Sequence, residues 1–147
     1  MRSENINSFL NLILKWFEMN VPITLLLIDD DPDDLEILIT AIHEIDRSAV
    51  CHTARDGNEG LDKLKDEQLT PTLIFLDLNM PGMNGIQFLQ EIKGSDTLKN
   101  IRIVVFSTSS NPSDIKATEG LGIYKYITKP ASFSILLDTL RGLFKSL

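Results

Sequence analysis

Four apolar runs in this chain stop on residues that can hold a cation and a phosphoryl group. The stretch LIFLDLNMPGMNG carries the apolar residues Leu73 to Leu76 and breaks off at Asp77, with a Pro-Gly turn behind it. LLLIDDDPDD ends its run on Asp29, Asp30 and Asp31. IRIVVFSTSS ends on Ser107 and Thr108, and YKYITKP on Thr128, Lys129 and Pro130. A buried strand that ends on a carboxylate sets that acid at the C-terminal edge of a sheet, where ligands bind in open α/β folds. Carboxylates gathered within a few ångströms repel one another and raise each other's pKa, and a hard divalent cation relieves this. Mg2+ takes oxygen ligands and keeps several waters, so one or two carboxylates and a phosphate oxygen suffice. A carboxylate held this way can attack phosphorus to give an aspartyl phosphate. The charge that gathers on the equatorial oxygens of the group in transfer suits the Lys129 ammonium, the Ser107 hydroxyl and backbone N–H groups.

The elements that must position these residues follow from apolar spacing. Ile23 to Ile28 is a continuous apolar run, as in a strand covered on both faces. Leu35, Leu38, Ile39, Ile42 and Ile45 repeat at helical spacing, with Asp31 as cap and Pro32 in the first turn. Ala49–Ala54 reads as a strand and Asp56–Gln68 as a helix. Thr72–Leu76 is a third strand, and Ile86, Phe88, Leu89 and Ile92 mark a third helix closed by Gly94. Ile101–Phe106 is a fourth strand. Asn111–Glu119 is a weakly apolar helix, capped by Asn111. Ile123–Ile127 is a fifth strand, and Phe133, Leu136, Leu137, Leu140, Leu143 and Phe144 define the last helix. Five strand-helix units imply a parallel sheet with helices on both faces. The flavodoxin-like (βα)5 order 2-1-3-4-5 sets the first and third strands side by side, so that Asp29 and Asp30 meet Asp77.

Composition narrows the function classes. At 147 residues the chain is one domain with a short appendage. A net charge of -7 argues against a general nucleic-acid-binding surface. The single cysteine, Cys51, allows no internal disulfide and fits a reducing cytoplasm. Cys51 and His52 are neighbours in a strand and face opposite ways, which suits structural roles better than a shared metal. No apolar run is long enough to span a bilayer, and no internal repeat is present. Asp29, Asp31 and Asp33 have the alternation of a calcium loop, but Asp34 stands where that loop needs Gly and Thr40 where it needs Glu. Asp33 and Asp34 read as a solvated first turn that favours the helix dipole, Met80 and Met83 as packing and turn residues, and His43 as a surface residue.

From Val21 to Leu147 the chain resembles a response-regulator receiver domain of two-component signalling. The resemblance rests on the acid pair Asp29-Asp30, on DLNMPGMNG, on the hydroxyl in FSTSS and on TKP. Asp77, Ser107 and Lys129 stand thirty and twenty-two positions apart, as the family pattern requires. The PDD after the acid pair resembles single-domain receivers partnered with phytochrome-like histidine kinases. The resemblance implies that Asp77 accepts phosphate from a histidine kinase. It further implies that Asp30, Asp77 and the backbone carbonyl of Asn79 ligate Mg2+, with Asp29 acting through a metal-bound water. Ser107 and Lys129 then bind the phosphoryl oxygens, and Thr108 stays small so that phosphate can enter. Tyr126 matches the family's aromatic switch, turning inward when Ser107 moves. Asn79 and Ser109 occupy the two positions that tune phosphate lifetime, and the Lys129-Pro130 bond is expected to be cis.

The implied function is that of a stand-alone, cytoplasmic signalling domain that catalyses only its own phosphorylation and dephosphorylation. Its downstream protein partner is open, and homodimer formation is one possible output. A phosphorelay carrier that passes the group to a histidine phosphotransfer protein uses the same pocket. An aspartyl-phosphate phosphatase is the enzyme alternative. Asp29 and Asp31 mimic its two-residue acid spacing, but Pro32 follows and no cap domain encloses a substrate. Residues 1–20 lie outside the resemblance. Ile6, Phe9, Leu10, Ile13, Trp16 and Phe17 fall on one helical face, widened by Leu12 and Leu14. Three readings compete: an element packed on the domain or on a second copy, a membrane-surface helix with only Arg2 and Lys15 as basic residues, or a chain whose start is Met19. The stretch is short and lacks the small-residue cleavage site of a signal peptide.

Overall fold

The computed structural model describes residues 3–147, so Met1 and Arg2, including the basic charge of Arg2, lie outside the described residues. The elements run α1 (Ser3–Asn20), β1 (Thr24–Ile28), α2 (Pro32–Ile45), β2 (Val50–Ala54), α3 (Gly57–Lys65) and β3 (Leu73–Leu76) in the first half. They continue with α4 (Gly85–Lys93), β4 (Arg102–Ser107), α5 (Pro112–Gly120), β5 (Lys125–Thr128) and α6 (Phe133–Lys145). The strands pair in parallel in the order β2-β1-β3-β4-β5, as the alternation of patterns predicts. The central register sets Ile28 beside Leu76 and Leu76 beside Val105. β1 and β3, the two strands that end on acids, are therefore neighbours.

Because side chains alternate along a strand, each apolar run supplies both faces of the sheet. Leu26, Ile28, Ile74, Leu76, Ile103 and Val105 point to the face covered by Leu61 and Leu64 of α3 and by Phe88, Leu89 and Ile92 of α4. Leu25, Leu27, Leu73, Phe75, Val104 and Phe106 point to the other face. There they meet Leu38 and Ile42 of α2 and Leu136, Leu140 and Leu143 of α6. Full burial of such a side chain contributes about 1.5–3 kcal/mol, so this double core holds the strand ends in fixed relative positions.

Caps set where the helices begin. Asp31 accepts N–H bonds from Asp33 and Asp34 at the start of α2, and Asn111 accepts from Ser113 at the start of α5. Asn84 and Gln87 form a reciprocal capping box at α4. α3 ends at Lys65, short of the Gln68 expected from sequence, because Gln68 itself adopts a left-handed φ of 52° that no helix continues. His43 is half-buried rather than a surface residue: its Nε2 donates to the Ala49 carbonyl at 3.0 Å and ties α2 to the start of β2.

α1 forms, but it does not pack on the domain. Phe9, Trp16 and Phe17 are 63%, 60% and 55% exposed, and Ile6, Leu10, Leu12 and Leu14 are exposed as well. The reading in which this helix covers its own domain is thus not met. No helix among the described residues is long and apolar enough to cross a membrane. A chain that begins at Met19 is expected to keep its thermal unfolding midpoint within about 2 °C of the full chain by scanning calorimetry. A fall of several degrees would mean that α1 buries apolar surface on the domain in solution.

Candidate functional site

The ladder runs one residue past the ends of the strands. The Asp29 N–H donates to the Ala54 carbonyl at 3.0 Å, the Asp77 N–H to Ile28 at 2.9 Å and the Lys129 N–H to Ser107 at 2.8 Å. These bonds fix Asp29, Asp77, Ser107 and Lys129 along one edge. Asp29, Asp77 and Ser107 are buried, while Asp30 is exposed beside them. One oxygen each of Asp29, Asp30 and Asp77 lie within 4.8 Å of one another. Hard carboxylate oxygens at this spacing are the donors that Mg2+ takes.

The loop after Asp77 is built to fold back on it. Gly82 has φ +72°, which a Pro-Gly turn needs and a side chain resists. The Gly85 N–H donates to the Leu78 carbonyl at 3.1 Å. A Cβ on Gly85 would lie 2.6 Å from the Asp77 carbonyl oxygen and 2.7 Å from Leu78 Cα. Both are backbone atoms that cannot step aside, so only glycine lets α4 start this close to the acid.

Lys129 holds the site together electrically. Its Nζ donates to Asp29 Oδ2 at 2.7 Å and to Asp34 Oδ2 at 2.8 Å, and lies 3.9 Å from Asp77 Oδ2. The other Asp29 oxygen accepts the Asp31 N–H at 3.0 Å. Burial alone would lower the Lys129 pKa, but the Asp29 and Asp34 hydrogen bonds and the nearby Asp77 and Asp29 charges carry it upward, so it stays charged. Asp77 goes the other way for a carboxyl. Desolvation pushes it up to about 6 and the Asp29 charge adds to this, against the Lys129 charge and the nearby Asn79 N–H and Ser107 hydroxyl, which favour the charged form.

Of the residues singled out on the sequence, Asp29, Asp30, Asp77, Ser107 and Lys129 lie together at this edge, and three details differ from expectation. The peptide bonds of the described residues are all trans, so the Lys129-Pro130 bond is not cis. The bond from the Lys129 N–H to Ser107 already directs this residue along the ladder, and its side chain reaches the acids from there. Asp34 is not a solvated first-turn charge but the second partner of Lys129. No local signal marks this partner: Asp34 stands three residues after the Asp31 cap, and Lys129 lies 95 positions further on. Ser109 also does more than its small size suggested. Its hydroxyl donates to Asp114 at 2.7 Å, and its carbonyl accepts the half-buried Tyr126 hydroxyl at 2.7 Å.

The raised Asp77 carboxyl makes stability depend on pH. Between about pH 4 and pH 6 the unfolded chain releases this proton while the folded chain keeps it, so stability falls as pH rises through that window. The full cost above pH 6 is about 3 kcal/mol at most. Asp77→Asn, which keeps the shape without the charge, is expected to be about 1–3 kcal/mol more stable than wild type at pH 7.5 without divalent cations. The difference should nearly vanish at pH 4, as urea unfolding at the two pH values will show.

The sequence model of the response regulator receiver domain matches residues 25–141. Response regulator Rcp1 of Synechocystis is 32% identical over 133 residues, covering 86% of this chain and 89% of that protein. The phosphorylated cyanobacterial phytochrome response regulator RcpA superposes with a TM-score of 0.77 at 34% identity, covering 84% of this chain and 91% of that one. The Mn2+-bound form of Rcp1 gives a TM-score of 0.75 at 30% identity, over 83% of this chain and 91% of its own. The strand order, the acidic edge with its lysine, and these likenesses agree: the chain belongs to the response regulator receiver domain family.

Proposed function

We propose that residues 21–147 form a phosphoacceptor switch. In this reading Asp77 takes a phosphoryl group from a histidine kinase in a Mg2+-dependent reaction, and the domain then changes its surface for a downstream protein. Residues 1–20 are an appendage to it. The observation that carries this reading is the placement of the Asp77 carboxylate between the acids of the first strand and a lysine 3.9 Å away. Receivers are signalling domains of the cytoplasm, and the single cysteine suits that setting.

The donor set fits a hard cation. Burial pushes Asp77 up to about 6 and the Asp29 charge adds to this, and a divalent charge beside the two acids would relieve both. Asp30, Asp77 and the backbone carbonyl of Asn79 would hold Mg2+, with Asp29 reached through a water. When bound, Mg2+ supplies charge neutralisation for the acid cluster and the incoming phosphate.

An Asp77 oxygen attacks phosphorus. The Asp77 O–P bond forms as the N–P bond of the donor's phosphohistidine breaks, and the electron pair of that bond stays on the imidazole nitrogen. Lys129 moves from its carboxylate partners to a phosphoryl oxygen, and the Ser107 hydroxyl donates to another. Asn79 and Ser109 flank the new group and govern the entry of the water that removes it. As Ser107 shifts, Tyr126 turns further inward and alters the surface of α5 and β5. That change is the output read by a partner or by a second copy.

The test is intact mass after incubation with acetyl phosphate. Wild type with Mg2+ is expected to gain one phosphate. Asp77→Asn, and wild type with excess chelator, are expected to gain none. A folded wild-type protein that stays unmodified with both acetyl phosphate and a histidine kinase would refute the phosphoacceptor reading.

A further inference from the structure

Lys129 has two short partners, and they differ in what else they do. Asp29 belongs to the three acids that converge within 4.8 Å of one another, so a cation in the pocket competes for it. Asp34 is outside that trio, yet its Oδ2 accepts from Lys129 at 2.8 Å. It projects from the first turn of α2, a helix fixed on the sheet by Leu38 and Ile42. The Lys129 side chain is 11% exposed and that of Asp34 34%, so this pair is shielded on the lysine side and open to solvent on the other.

A divalent cation at the acid trio would stand close to the Lys129 ammonium and repel it. With Asp29 as its sole short partner, Lys129 would either leave the pocket or hold Asp29 against the cation. We propose that Asp34 is a positioning residue for Lys129: it anchors the ammonium on a carboxylate outside the cation's reach. Asp29 then serves the cation while Lys129 stays beside Asp77. This rests on the phosphoacceptor reading for its purpose, but the ion-pair arrangement can be tested separately.

A double-mutant cycle on Mg2+ affinity makes the test. Mg2+ is titrated by calorimetry at 0.15 M salt into wild type, Asp34→Asn, Lys129→Met and the double variant, each checked for cooperative thermal unfolding. Asp34→Asn is expected to weaken Mg2+ binding about fivefold when Lys129 is present and less than about twofold in the Lys129→Met background. A charge lost at a distance would weaken binding equally in both backgrounds, and that result would overturn the proposal. Asp34→Ala serves in the same cycle if the Asn protein does not fold, with the same expectation. Asp34→Glu, which keeps the charge on a longer arm, is expected to stay within about twofold of wild type. The intact-mass experiment separates the two readings. Phosphate gain by wild type without coupling in the cycle removes only the role of Asp34. Coupling without phosphate gain supports the anchor and removes the phosphoacceptor.

Discussion

A buried carboxylate beside another carboxylate is a costly arrangement, and the structure is organised around keeping Asp77 in that state. The acid is held below the surface just past the end of β3, beside Asp29 just past the end of β1, with the Lys129 ammonium 3.9 Å away. Burial outweighs the ammonium and leaves the carboxyl raised to about 6. A carboxylate held in this condition gains from whatever brings positive charge beside it. The fold supplies the rigidity that prevents the simpler escape, which is rotation of the side chain into water.

That rigidity comes from backbone, not from the acids. The ladder bonds past the strand ends anchor the residues from below. The close approach of Gly85 to Leu78 and to the Asp77 carbonyl pins the following loop from the side. The sheet is apolar on both faces, with α3 and α4 on one and α2 and α6 on the other, so no strand can slip without moving an entire core set. Lys129 reaches the acids over a trans peptide because its own N–H continues the β4–β5 pairing.

The fold and most of the site were legible in the chain because both are local patterns. An apolar run that stops on Asp77, or on Ser107, shows where a strand ends without any knowledge of its neighbours. Alternation then fixes a parallel sheet, and the order of strands brings Asp29 to Asp77. What stayed hidden depends on pairs far apart in the chain. Asp34 and Lys129 are 95 positions apart, and their contact exists only because the first turn of α2 leans over the end of β5. His43 looks solvated on its own helix, and only the Ala49 carbonyl at the start of β2 gives it a partner. The amphipathic pattern of α1 predicts a helix correctly but does not say what it covers. Periodicity reports a face, whereas a partner is a matter of geometry.

The link from the pocket to the outer surface is short enough to follow bond by bond. Ser107 is fully buried, and its hydroxyl oxygen accepts the Ser109 N–H at 3.2 Å. Ser109 in turn grips two elements: its hydroxyl donates to Asp114 in the first turn of α5, and its carbonyl receives the Tyr126 hydroxyl from β5. In the proposed switch, a displacement of Ser107 toward the acids would pull on the loop that bears both grips. α5 is the weakest place to resist, since Thr118 is its single fully buried residue and its apolar face is slight. The sheet and the helices with large apolar faces would stay put, and the strain would pass to α5, which has little core of its own. A rigid pocket next to a lightly held helix is what allows a change confined to a few atoms to become a change of surface.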